Sequence, residues 1–137
     1  MRVMVLVKAS DDSEAGRMPS TEELEAMGRF NEEVAKAGIM VAGDGLAATS
    51  EAKRVRFDGD APSVIDGPFT ETKELVAGYW VWKVASLDEA AEWLKRAPFS
   101  DTEVEIRRIF EADEFGEAYT PEQRERDERL RQEISGH

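Results

Sequence analysis

The stretch Leu75–Val84 constrains this chain most. Leu75, Ala77, Tyr79 and Val81 alternate with Val76, Trp80, Trp82 and Val84, so an extended strand here carries apolar side chains on both faces. Such a strand belongs inside a sheet that is covered on each side. Helices of the same chain can cover one face. The other needs a further layer, because a large open apolar face is uncommon on a monomer.

The remaining pattern supplies those helices and the flanking strands. Arg2–Lys8 is apolar at successive positions and reads as a first strand. Ala9–Pro19 reads as a loop. Ser20-Thr21-Glu22-Glu23 has the form of a capping box, and Leu24, Met27, Phe30 and Val34 recur at steps of three and four. The spacing predicts a helix to Ala37 that stops at Gly38. Ile39–Leu46 reads as a second strand. Arg54–Phe57 and Ser63–Asp66 flank Asp58-Gly59-Asp60, a hairpin signal. After Leu75–Val84 comes a second capping box, Ser86-Leu87-Asp88-Glu89, whose helix presents Ala90, Trp93, Leu94 and Ala97 before Pro98 ends it. Val104, Ile106 and Phe110 mark a last strand. From Thr120 a charged helical stretch pairs Glu122 with Arg126, Glu125 with Arg129 and Asp127 with Arg131 at i,i+4. The order is βα, two or three strands, then βαβ. It predicts an α+β, ferredoxin-like domain followed by a charged C-terminal helical tail.

Charge limits the partners. The chain of 137 residues carries a net charge of −12, which opposes both phosphate backbones and anionic lipid, so neither nucleic acid nor a membrane surface is expected as partner. No apolar run reaches the length of a membrane-spanning helix, and Met1–Lys8 reads as a strand and not a leader, so a cytoplasmic protein is expected. Without cysteine there is no disulfide, thiolate metal site or Cys nucleophile. The single histidine is His137, at the chain end. Asp11, Asp12, Asp58 and Asp60 lack the order of a calcium loop, so no metal and no cofactor is expected.

The distinctive stretch is Asp66-Gly67-Pro68-Phe69-Thr70-Glu71-Thr72-Lys73-Glu74, followed by Gly78-Tyr79. It resembles the signature of the DGPF group within the YCII-related proteins. Ala42-Gly43-Asp44-Gly45-Leu46 and Ser86-Leu87-Asp88-Glu89-Ala90 fall where that group has them, and the resemblance covers Met1–Ala112. It implies a ferredoxin-like sandwich that pairs sheet to sheet as a dimeric α/β barrel, hence a homodimer. The His–Asp pair proposed for some YCII proteins has no internal histidine here to complete it. Some DGPF proteins lie beside extracytoplasmic-function sigma factors, which implies a sensing or accessory role as the rival to an enzyme acting on a small polar or aromatic metabolite.

Within the motif, Asp66 is the candidate for proton transfer, against the simpler role of closing an Asx-type turn before Gly67-Pro68. Lys73, Glu74 and Glu71 are candidates for orienting a ligand, against the simpler role of a solvated loop. Tyr79 can offer a phenol to a cavity, or pack in the core. Gly43-Asp44-Gly45 reads as a tight turn or bulge and not a phosphate loop.

Overall fold

The structure, a computed structural model, describes residues 1–136; His137 lies outside the described residues. The elements are β1 (Arg2–Lys8), α1 (Asp11–Glu14), α2 (Thr21–Lys36), β2 (Met40–Gly45), β3 (Lys53–Asp58), β4 (Ala61–Asp66), β5 (Val76–Lys83), α3 (Leu87–Leu94), β6 (Val104–Arg108) and α4 (Pro121–Ser135). Short 3₁₀ segments occupy Thr49–Glu51 and Ala112–Ala118. Four strands form an antiparallel sheet in the order β2-β5-β1-β6, and β3 pairs with β4 as a separate hairpin. That is the expected ferredoxin-like α+β arrangement, with the hairpin inserted between its two halves.

The central strand divides as its alternation requires. Trp80, Trp82 and Val84 are buried with Val3 and Val5 of β1, beneath Phe30 and Val34 of α2 and Ala90 of α3. Phe30 meets both indoles, at 5.7 Å and 6.1 Å between ring centres, and Trp80 lies 5.5 Å from Trp82. Both helices cover this face. The opposite face presents Met4, Leu6, Ala77, Tyr79 and Val81, all half-buried. The register sets Arg2 beside Lys83, Met4 between Val81 and Arg107, and Leu6 between Tyr79 and Glu105 on that face.

Two of the three stop signals act where expected; α3 instead ends at Leu94, short of Pro98, so Ala97 lies outside the helix. Gly38 takes φ 75° after α2, a conformation glycine adopts at little cost. Gly59 (φ 57°) turns the hairpin, with Val55 opposite Val64 and Phe57 opposite Pro62.

Several local expectations are corrected. The loop Ala9–Pro19 contains α1, because Ser10 and Ser13 cap each other reciprocally. At Ser20 only half of the capping box forms: its hydroxyl accepts from the Glu23 N–H. In the second box Glu89 accepts from the N–H of Ala85, one residue before the cap. Leu24 is exposed, since burial along α2 begins a turn later at Met27 and Phe30. The last strand ends at Arg108, and Phe110 leaves the sheet to pack at a tilt against Phe115, which in turn meets Tyr119.

The C-terminal helix is solvated, and none of its residues is buried. The three i,i+4 ion pairs expected along it are not formed among the described residues. Its charges reach outward instead: Arg124 pairs with Asp113 at 3.0 Å, and Tyr119 donates to Asp127. Arg2 pairs with Glu111 and Arg108 with Glu114, tying the preceding segment to the sheet. The N–H of Glu111, then the Arg108 guanidinium, hold the Glu114 carboxyl below its ordinary value.

Candidate functional site

The motif corner is a main-chain clasp. Gly67 donates its N–H to the Ala52 carbonyl at 2.9 Å, bringing the end of the hairpin against the Thr49–Glu51 segment. A Cβ on Gly67 would stand 1.7 Å from the Thr49 carbonyl oxygen, so the two chains touch where a side chain would begin. The Thr49 hydroxyl accepts from the Phe69 N–H at 2.9 Å and donates to Glu14, whose carboxylate also accepts the Thr49 N–H at 3.1 Å. The Arg54 guanidinium lies 3.7 Å from the centre of the Phe69 ring. One glutamate from α1 thus organises the segment on which the motif rests.

Asp66 sits at the base of the hairpin, opposite Lys53, whose ammonium donates to its carboxylate at 2.6 Å. Its partner is that side chain and not the backbone N–H groups of an Asx turn. Both side chains are exposed. Glu71 and Glu74 lie on an exposed turn held by the Glu74 N–H to the Glu71 carbonyl at 2.8 Å. Lys73 borders a wide, open depression beside Lys8, Ser10 and Glu103.

Tyr79 stands elsewhere. Its phenol donates to Asp44 at 3.2 Å across the β2–β5 pair, on the helix-free face. That hydrogen bond, together with the carboxylate's charge, raises the phenol above its ordinary value. Asp66, Lys73, Glu74 and Tyr79 therefore do not converge on one concavity.

A cavity of about 390 Å³ lies at the β2–β5 end of the sheet, on the side of α2. Its floor is made by glycines. Gly45 lies opposite Gly78, and Gly43 lies opposite Trp80. The Trp80 ring covers Gly43 so closely that an added Cβ would come within 2.5 Å of Cδ1. At Gly45 an added Cβ would meet nothing within 4 Å. Strand alternation sends the side chains of Asp44, Ala77 and Tyr79 to the opposite face, so these residues border the cavity through main chain left bare by the glycines. Its walls are Val7, Met27, Trp80 and Phe99. Asn31 adds a carboxamide, whose Oδ1 accepts from the Trp80 indole N–H at 2.9 Å.

Tyr79 apart, sequence reasoning missed the residues that line this cavity, although one signal for them was present. Glycine inside a strand marks a place where another group approaches the backbone. Gly43, Gly45 and Gly78 meet only through strand pairing, however, and Asn31 on an exposed-looking helix carries no mark of its own.

A family model described as the YCII-related domain matches residues 1–113. An uncharacterized protein of Rhizobium meliloti (strain 1021) is 36% identical over 73 residues, which cover 53% of this chain and 56% of that protein. The match thus spans about half the length of this curated relative. Among solved structures, 5-chloro-2-hydroxyhydroquinone dehydrochlorinase from Burkholderia phenoliruptrix AC1100, in complex with 2,5-dihydroxybenzoquinone, aligns with a TM-score of 0.42 at 16% identity. The alignment covers 83% of this chain and 98% of that one.

Proposed function

This chain belongs to the YCII-related domain family, and on that premise we propose that it is a homodimeric, cytoplasmic protein that binds one small, flat metabolite on the glycine floor of its sheet. The carrying observation is the cavity itself: strand glycines beneath aromatic and thioether walls, with one carboxamide at the side. Its volume, about 390 Å³, lies within the range of small-molecule sites, roughly 300–1,000 Å³. The motif corner is assigned to architecture. Asp66, proposed from sequence as the proton-transfer residue, is held by Lys53 on an exposed hairpin where no wall excludes water. The same exposure leaves Glu71 and Glu74 as solvated charges. Binding without chemistry, as in a sensor or accessory protein, fits this arrangement better than turnover.

Gly45→Val tests the cavity. The new side chain has open space around its Cβ and a strand-compatible shape, so folding should persist. It nevertheless fills the floor. Metabolites that raise the melting temperature of the wild-type protein in a library screen should lose that effect in the variant. Retained shifts for all of them would remove the cavity from the proposal. Recovery of such a ligand in chemically altered form would make the protein an enzyme.

The second copy is proposed for the helix-free face. Met4, Leu6, Ala77 and Val81 offer an apolar surface there, with Arg2, Lys83 and Arg107 set against Asp44 and Glu105. In a chain of net charge −12 this face is unusually free of negative excess, so two copies meet there with least repulsion. Residues 113–137 are proposed as an extension outside this contact. Sedimentation should give a dimer at micromolar concentration, for the full chain and for one ending at Tyr119. A monomer in both would end the dimer proposal; a monomer only in the shorter chain would place the contact in α4.

A further inference from the structure

Asn31 lies one helical turn after Met27, and both line the cavity from α2. The orientation of its carboxamide is dictated by its neighbour. An indole offers a single N–H donor and no acceptor, and the Trp80 Nε1–H donates to Asn31 Oδ1 at 2.9 Å. Turning the amide over would set donor against donor. Trp80 has little freedom to move away. Its ring lies 5.7 Å from Phe30, 5.5 Å from Trp82 and 6.0 Å from Phe99, with its edge against Gly43. The amide oxygen is therefore committed to the indole, and the amide N–H₂, with no partner among the described residues, is the group left for a ligand.

The surrounding charge narrows the ligand further. No lysine or arginine lines the cavity, and Asp44, the charged residue at its border, directs its carboxylate to Tyr79. An anionic acceptor would enter without a counter-charge, in a chain whose net charge is −12. The walls Val7, Met27, Trp80 and Phe99 suit the faces of a ring. Resting on the cavity as the binding site, we propose that Asn31 sets specificity by donating from Nδ2 to a neutral acceptor, a carbonyl oxygen or ring nitrogen, on an uncharged planar ligand. A ring without such an acceptor displaces water from Nδ2 and gives nothing back, which is the origin of the discrimination.

Acetophenone, ethylbenzene and benzoate form the test set. They share a ring and approximate size, and differ in carrying a neutral acceptor, none, or a charged one. Each is titrated into the full chain while amide and indole N–H resonances are followed by NMR. Acetophenone should bind about tenfold more tightly than the other two and shift the Asn31 side-chain amide protons. Asn31→Asp keeps an acceptor for the Trp80 indole and removes the donor. Its indole resonance should stay in place while the preference for acetophenone disappears. Equal binding of acetophenone and ethylbenzene at the cavity would overturn the role of Asn31 and leave the cavity standing as the site. An unchanged preference in Asn31→Asp would also overturn that role. Failure of all three compounds to perturb the cavity resonances would overturn the binding reading itself, and this inference with it.

Discussion

Gly67→Ala is expected to destabilise the protein by about 3–5 kcal/mol, at the extreme of single substitutions. The added Cβ would stand 1.7 Å from the Thr49 carbonyl oxygen and 2.7 Å from its carbon. Overpacking against side chains typically costs about 1–3 kcal/mol because a rotamer can yield. Here the obstacle is backbone, and that backbone is held. Glu14 accepts the Thr49 N–H and hydroxyl, the Thr49 hydroxyl accepts from the Phe69 N–H, and the Gly67 N–H reaches the Ala52 carbonyl. Relief requires the hairpin to lift from the Thr49–Glu51 segment. Urea unfolding should show the loss if the clasp is coupled to the core. If the hairpin opens locally, the loss should appear as collapsed amide-exchange protection over Lys53–Asp66. A variant with both measurements unchanged would refute the clasp. Asp66→Ala serves as the neighbouring control. It removes an exposed ion pair with Lys53, and a change of about 0–1 kcal/mol is expected.

The second large effect is at Trp82, which is fully buried among Val3, Val5, Phe30 and Trp80. Trp82→Ala should cost about 3–5 kcal/mol, since the ring is lost and the surrounding sheet and helix close the void only in part. Trp82→Phe separates volume from polarity. The Trp82 Nε1–H is buried without a hydrogen-bond partner, a condition that costs about 1–3 kcal/mol. Phenylalanine removes that donor and keeps a ring beside Phe30 and Trp80. Its cost should fall to about 1 kcal/mol or less, because the relieved N–H offsets the smaller volume. Trp80→Phe is the contrasting case: its indole is paired with Asn31, so the same exchange relieves nothing there. Chemical denaturation of the three variants at one pH makes the comparison. A Trp82→Phe loss as large as that of Trp82→Ala would mean that the indole N–H is satisfied in solution.

The order of elements was legible from the chain because each signal is local. Ser20, Ser86 and Thr120 announce helices through side chains that reach only three residues ahead. Gly38 ends α2 by its own backbone freedom, and the strand Val76–Lys83 declares two apolar faces by simple alternation. Fold class and the place of the hairpin follow from such signals, as does family membership from the motif. The lining of the cavity could not be read in this way. It exists where side chains are missing, on Gly43, Gly45 and Gly78, and these residues come together only once β2 and β5 pair in one particular register. Asn31 gains meaning only when Trp80, far along the chain, takes its oxygen. The motif residues show the converse. Asp66, Lys73 and Glu74 are close in sequence, but the fold sets Asp66 at the base of a hairpin and leaves Lys73 and Glu74 on an exposed turn beyond it. Local patterns determine which elements form, because hydrogen bonding and side-chain alternation act over a few residues. Which side chains share a space is decided by strand register and helix docking, and those are properties of the folded chain alone.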